Sequence, residues 1–202
     1  LQRTLGLPQS VVREAGMLEL VAAQMHIAEL EQALREAREA AFTDPLTGAL
    51  NRRGFVDAFQ REFARSARSG SSADGLVLAL IDIDNFKRLN DTLGHQAGDE
   101  ALVHLVRVLR ASMRPSDVLS RFGGEEFVLL LPDAQLVDAQ AALCRFQREL
   151  AAQMVPGREF SLTFSAGVVV QMPGESMEAA IQRADAATFA AKRAGKNCVV
   201  TG

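Results

Sequence analysis

The sequence has no tryptophan and no tyrosine, so every aromatic ring belongs to one of its 11 phenylalanines. Cysteine is nearly as scarce. Cys144 and Cys198 are the only two. They stand far apart without metal-ligand spacing, which argues for inert thiols in a reducing compartment. No apolar run approaches the roughly 20 residues of a membrane span, and no secretory leader is visible. A cytoplasmic location without membrane contact by this chain is expected, although an upstream segment could anchor the full-length protein. Neither sign of charge dominates. A net charge of −3 over 202 residues excludes a nucleic-acid binder held by phosphate contacts. The chain opens at Leu1 rather than Met, so a fragment is expected, with whatever preceded it missing.

Apolar residues make up 48% of the chain, enough for a real core, and the length suits one domain plus an appendage. The appendage comes first. Residues 10 to 42 read as one long helix, with Ser10 as its N-cap. Leu20, Ala23, Ile27, Leu30, Leu34, Ala37 and Ala41 recur at alternating steps of three and four. That is a heptad seam. A helix packed on its own domain is the alternative, but strict a/d spacing is narrower than a globular helix needs. A parallel two-stranded coiled coil is therefore expected for residues 1–42. Pro45 and Gly48 end the helix, and residues 43–202 form the second domain.

Within that domain, Phe55, Phe59 and Phe63 mark one face of a short helix. "RSARSGSSADG" then reads as a flexible loop. "GLVLALIDID" (75 to 84) is a buried strand ending in acids, and residues 98 to 113 form an amphipathic helix. "DVLSRF" and "EFVLLL" flank a Gly123-Gly124 loop as a β-hairpin. A helix follows from about 135 to 152. "EFSLTFSAGVVV" is a strand, "SMEAAIQRADAATFAAKRAG" a helix with Gly195 as its stop, and "NCVVT" a closing strand. The order after the linker is α-β-α-β-β-α-β-α-β. The expected fold class is α+β, with helices flanking a mostly antiparallel central sheet.

The acids decide what such a sheet is for. Asp82 and Asp84 end one apolar strand, and Glu125 and Glu126 begin another beyond a tight turn. If the strands are neighbours, Asp82 and Glu125 meet at one edge of the sheet, repel, and raise each other's pKa. A divalent cation removes the conflict, and oxygen ligands beside substrate phosphates suit Mg²⁺. Each acid alone is equally a solvated strand end. Between the two pairs, Lys87 and local N–H groups can hold phosphate oxygens. Asn90 and Asp99 offer the amide and carboxylate that suit a purine edge. Taken singly, Asn90 is a turn residue and Asp99 a helix N-terminal acid. Lys192 and Lys196 are further candidates for phosphate, or ordinary surface lysines at a helix end.

"DPLTGALNRRGF", "IDIDNFKRLNDTLGHQAGDEAL", "RFGGEEF" and "ADAATFAAKRAGKN", in this order and spacing, resemble the GGDEF domain, the catalytic domain of diguanylate cyclases, in its GGEEF variant. The resemblance runs from about residue 43 to the C-terminus. It implies a palm-like fold related to nucleotidyl cyclases, and condensation of two GTP into cyclic di-GMP and two pyrophosphates. Residue by residue, it makes Asp82, the Ile83 carbonyl, Glu125 and Glu126 the metal ligands, for two Mg²⁺ (or Mn²⁺) per active half-site. Glu126 is also credited with activating the 3′-hydroxyl. Asn90 and Asp99 become the guanine readers. Phe86, Lys87, Lys192 and Lys196 line the triphosphate pocket, and Gly123 and Gly124 let the α-phosphate approach the backbone.

Each such domain holds one GTP, so the resemblance also implies a homodimer, joined here through the N-terminal helix. "RPSD" (114 to 117) resembles the family's RxxD product-inhibition site, with Arg114 and Asp117 contacting cyclic di-GMP and Arg145 as a secondary arginine. Two departures stand out. Phe189 replaces a usual Tyr. Lys196 replaces a common Arg, turning a bidentate fork into a point charge. The alternative function is a non-catalytic GTP- or cyclic di-GMP-sensing module, against which the intact acids argue.

Overall fold

The apolar run before Asp82 sets the architecture. In the computed structural model, which describes residues 9–69 and 76–202, strand β1 (Val77–Ile83) is buried along its whole length. Side chains of a strand alternate between faces, so a strand buried throughout needs a core on each side. Val77, Ala79, Ile81 and Ile83 pack in one apolar cluster, and Leu78 and Leu80 in another. Helices α4 (His95–Ser112) and α5 (Leu136–Ala151) close the first cluster with Leu102, Leu105, Leu109, Leu143 and Phe146. Helices α2 (Arg52–Ser69) and α6 (Met177–Arg193) close the second with Phe55, Phe59, Met177 and Ala180.

The remaining strands are β2 (Val118–Gly123), β3 (Glu126–Leu131), β4 (Phe164–Val170) and β5 (Val199–Thr201). Their order across the sheet is β2-β3-β1-β4-β5. Three pairings are antiparallel and the β4–β5 edge is parallel. This is the expected α+β class, a mostly antiparallel sheet between helices. The Ser176 hydroxyl caps α6 by accepting from the Ala179 N–H at 3.1 Å.

Helix α1 (Gln9–Phe42) precedes the sheet domain. The chain divides into two compact units, Leu1–Ala41 and Phe42–Gly202. On α1, the seam residues Leu20, Ile27, Leu30 and Leu34 are each more than half exposed. The expected cap at Ser10, and residues 70–75 of the loop after α2, lie outside the described side chains.

Local details correct the sequence reading. An extra helix, α3 (Phe86–Leu93), follows β1 directly, and α4 begins at His95 rather than Gly98. Only Phe86 of α3 is buried, so its two turns leave no apolar period in the sequence. β4 starts at Phe164. The segment before it makes a single bridge, Met154 with Ser161. Phe63 stays 52% exposed, stacked on Phe59.

Candidate active site

Parity along β1 aims Asp82 at α6. It shares the face of Leu78 and Leu80, and the last turn of α6 brings Lys192 to it. The Lys192 Nζ lies 2.6 Å from Asp82 Oδ2. The other carboxylate oxygen, Oδ1, is buried without a hydrogen-bond partner. On the opposite side of β1, β3 runs antiparallel and sets Glu126 across from Asp82. The Ile83 N–H donates to the Glu125 carbonyl at 3.4 Å. Asp82, Ile83, Glu125 and Glu126 thus share one corner of the sheet.

The hairpin tip differs by one residue from the sequence reading. Gly123 still pairs with Glu126, so the two loop residues are Gly124 and Glu125, not two glycines. Gly124 takes φ +41°, the left-handed region that glycine enters easily. A Cβ on either glycine would meet nothing within 4 Å, so space beside the tip is open.

Electrostatics at this corner are strained. Burial pushes the Asp82 carboxyl above the usual range. Lys192 offsets part of that rise, and Asp84 and Asp185 add to it. Burial also raises Glu125, and the neighbouring Asp82 and Glu126 charges push it further. Among the described residues no three acidic, His or Cys side chains are gathered closely enough to hold a metal as they stand. The donor chemistry nonetheless fits one. The set is all oxygen, which suits Mg²⁺ or Mn²⁺, and the unpartnered Asp82 Oδ1 is a buried acceptor that a cation would satisfy.

The other predicted residues lie on neighbouring elements or apart from this corner. Asn90 lies on α3, and its Oδ1 is likewise buried and unpartnered. Asp99 is exposed on α4, the helix against which α3 packs. The Phe86 ring is buried in the core, so any phosphate contact from this residue comes from its backbone. Lys87 is exposed. The Lys196 ammonium donates to Asn85 Oδ1 at 2.6 Å. Arg114, Asp117 and Arg145 do meet, in a groove of about 220 Å³ that Asp138 and Ala142 also line. There the Arg114 N–H donates to Asp117 Oδ2 at 2.8 Å, and the Arg145 guanidinium donates to the Ser112 carbonyl at 3.2 Å. Burial raises the Asp117 carboxyl, against the Arg114 amide and the two guanidinium charges.

Three residues support the site in roles that the sequence reading did not assign. Asp84 accepts from the Thr163 and Ser165 hydroxyls at 2.8 and 2.7 Å and from the Asn197 N–H at 2.9 Å. It ties the end of β1 to the loop that carries Lys196. Arg121 donates to the Gly124 carbonyl at 2.9 Å and to both oxygens of Asp44 at 3.1 and 3.2 Å. Burial acts to raise the Asp44 carboxyl, but hydrogen bonds from Thr47 and Arg121 outweigh it and hold the group low. Arg121 so joins the hairpin tip to the "DPLTG" turn. Gly98 is the third. A Cβ there would fall 2.0 Å from Asn90 Oδ1. Asp84 is legible in the sequence as an acid ending a strand, though not as a tie; Arg121 and Gly98 carry no signal beyond their place inside the quoted motifs.

Comparison with known proteins shows the family of the chain. Residues 41–198 match the family described as "Diguanylate cyclase, GGDEF domain". The diguanylate cyclase DgcP of Pseudomonas aeruginosa is 43% identical over 166 residues, 81% of this chain. The chain is shorter than such curated relatives, spanning 24% of DgcP and 38% of the response regulator PleD of Caulobacter vibrioides. Among solved structures, the coiled coil and GGDEF domain of DgcB from Caulobacter crescentus, in complex with c-di-GMP, superposes with a TM-score of 0.81. It is 31% identical, and the match covers 92% of this chain and 98% of that one. The active GGEEF domain of a diguanylate cyclase from Vibrio cholerae gives 0.68 at 30% identity, over 75% of this chain and 96% of that one. With the family matched from the start of the sheet domain to the edge of β5 and its signature at the tip of the β2–β3 hairpin, this chain belongs to the GGDEF family.

Proposed function

We propose that this chain is the catalytic part of a diguanylate cyclase, which joins two GTP into cyclic di-GMP and releases two pyrophosphates. The observation that carries the reading is the meeting of Asp82, Ile83, Glu125 and Glu126 at one corner, with a buried Asp82 oxygen left unpartnered. Asp82, the Ile83 carbonyl, Glu125 and Glu126 would hold Mg²⁺ or Mn²⁺, two per half-site. Such ions stabilise charge on the α-phosphate and pyrophosphate and ease ionisation of the attacking 3′-hydroxyl.

The chain's own groups do the rest. The Asn90 amide bonds to guanine O6 or N3, and the Asp99 carboxylate accepts from N1–H and N2–H₂. The backbone at Phe86 and the ammonium groups of Lys87, Lys192 and Lys196 bind the triphosphate. The open space beside Gly123 and Gly124 admits the α-phosphate close to the hairpin tip. Glu126 lies nearest the solvent side and takes part in activating the 3′-hydroxyl. One GTP per domain requires two domains face to face, each 3′-oxygen attacking the other's α-phosphorus as pyrophosphate leaves. Residues 1–42 pair as a coiled coil to bring the two domains, residues 43–202, together. The Arg114–Asp117–Arg145 groove binds the product and slows the enzyme. A sensor upstream of this cytoplasmic part sets the pairing.

Incubation with GTP and Mg²⁺, followed by chromatography, yields cyclic di-GMP on this reading. Asp82→Asn and Glu125→Gln lose that turnover by a factor of at least about 100, the scale of one lost charge-stabilising group, and keep their melting behaviour. No product from the unaltered chain at high protein concentration would leave it a sensing module instead.

A further inference from the structure

Lys192 is bonded to the group that the proposed chemistry needs free. Its ammonium touches Asp82 Oδ2 at 2.6 Å. Asp84, Glu125 and Asp185 act on the same corner as negative charges. The neighbouring Lys196 is engaged elsewhere, on Asn85 Oδ1. Lys192 is thus the cation seated on Asp82, at the acid that would otherwise be desolvated and unpaired. Its side chain is 34% exposed, whereas that of Asp82 is only 8% exposed. The lysine therefore has a way out toward solvent, and the aspartate does not.

We infer that Lys192 holds the metal's place on Asp82 in the empty enzyme and moves from Asp82 to the triphosphate when the metal arrives. The inference rests on the metal site proposed above. Its physics is an exchange of ion pairs. A divalent ion binds carboxylate oxygen at about 2.0–2.1 Å, so one seated on the unpartnered Oδ1 stands across the same carboxylate from the Lys192 ammonium on Oδ2, and the two like charges repel. A metal arriving alone pushes Lys192 off by that repulsion and leaves its charge unpaired beside the incoming cation. A metal arriving with GTP evicts the same lysine but brings phosphate oxygens for it to bind. Lys192 is a four-carbon point charge with three rotatable donors, suited to changing partners. The result is positive coupling: nucleotide raises metal affinity and, by linkage, metal raises nucleotide affinity by the same factor. Bare metal is discouraged, so the reacting corner fills only when substrate is present.

The test separates this role from simple phosphate binding. Mn²⁺ affinity of the full chain is measured at pH 8 by electron paramagnetic resonance. It is measured without nucleotide, then with a GTP analogue carrying a methylene between the α- and β-phosphorus. Lys192→Met binds Mn²⁺ alone about fivefold more tightly than the unaltered chain, the scale of one partly exposed ion pair. Its gain in Mn²⁺ affinity on adding the analogue shrinks by a similar factor. Lys192→Gln behaves alike and guards against a misfolded variant. Lys196→Met, which removes the same charge from a residue not bonded to Asp82, leaves affinity for Mn²⁺ alone unchanged.

Unchanged, weaker or undetectable binding of Mn²⁺ alone by both Lys192 variants overturns the exchange. So does an equal tightening in Lys196→Met, which would show a general field instead. Asp82→Asn distinguishes the layers of the argument. If it binds Mn²⁺ as the unaltered chain does, the metal site itself is misassigned. If it loses Mn²⁺ while the Lys192 variants bind normally, the site stands and only the exchange fails.

Discussion

Asn90 and Gly98 show how a single missing atom shapes the site. The two residues lie on successive helices, α3 and α4, and the Asn90 amide oxygen occupies the volume that any Cβ at position 98 would need. A Cβ would sit 2.0 Å from Oδ1 and 2.9 Å from Cγ, distances that no non-bonded pair tolerates. Gly98 has ordinary helical φ, so glycine serves close approach here and not backbone freedom. Gly98→Ala gains helix propensity of about 1 kcal/mol and expels the Asn90 side chain from its present rotamer. The expected outcome is a melting temperature near that of the unaltered chain, with KM for GTP raised roughly three- to tenfold, the worth of one neutral hydrogen bond. Steady-state kinetics on GTP, beside a melting curve, checks both halves. An unchanged KM would mean that Asn90 does not read the base. Lys196 is a second instructive residue. It sits at φ +66°, followed by Asn197 at +45°, in a loop that Asp84 pins through the Asn197 N–H. Its ammonium is therefore held near β1 by a strained loop and one buried carboxylate.

Among the elements, those that carry a period were legible and those that depend on distant partners were not. The β2–β3 hairpin, the buried β1 and the amphipathic helices α4, α5 and α6 announced themselves through apolar alternation, helical spacing and glycine at the turn. Helix α3 did not, because it buries only Phe86 and owes its place to packing on α4. The acid corner was legible as a pattern of motifs. Its actual state was not, since Lys192 and Asp82 are 110 positions apart in the chain and only the fold decides that they touch. The Arg121–Asp44 link spans 77 positions for the same reason. The loop between β4 and α6 is held by partners close in the chain instead. Arg183 donates through Nε and Nη2 to the two carboxylate oxygens of Glu175 at 2.8 and 2.7 Å, and the Met172 N–H adds a third bond at 2.8 Å. These bonds lower the Glu175 pKa from 4.5 to about 2. The folded-state pKa lies below the unfolded one, so this stabilisation is complete above about pH 4.5 and is lost as pH falls toward 2. Glu175→Gln is expected to be less stable at pH 7 by about 1 kcal/mol, allowing for solvent screening. The gap to the unaltered chain should close between pH 4.5 and 2, as urea titrations at several pH values would reveal. A gap independent of pH would assign the effect to packing. The groove between the α4–β2 turn and α5 makes a separate prediction at the same scale. Arg114 lies there and not at the acid corner, so Arg114→Ala should keep the initial rate and lose inhibition by added cyclic di-GMP. Equal inhibition of both proteins would remove the product from that groove.

At the scale of the whole molecule, the question is what joins two half-sites. On the proposed chemistry, a corner with room for one GTP cannot by itself close a ring from two. The chain supplies a 34-residue helix, α1, ahead of the catalytic unit. Its Leu20, Ile27, Leu30 and Leu34 are 56–58% exposed, a row of large apolar side chains that water disfavours. A second α1, parallel and in register, would cover that row by heptad packing. Each covered side chain contributes roughly 1.5–3 kcal/mol, and several along the seam are ample for a dimer at micromolar concentration. Ile27→Glu combined with Leu34→Glu places like charges opposite each other across such a pair and removes the burial of both. No residue of the acid corner changes. Dimer population and specific activity should therefore fall together, while binding of a non-reacting GTP analogue per subunit persists. Raising the protein concentration should restore part of the activity, because mass action opposes dissociation. Light scattering, calorimetric titration and turnover on the same samples decide the matter. Full activity from a variant that scatters as a monomer would show that the catalytic units find each other without α1, and the exposed seam would need a different partner.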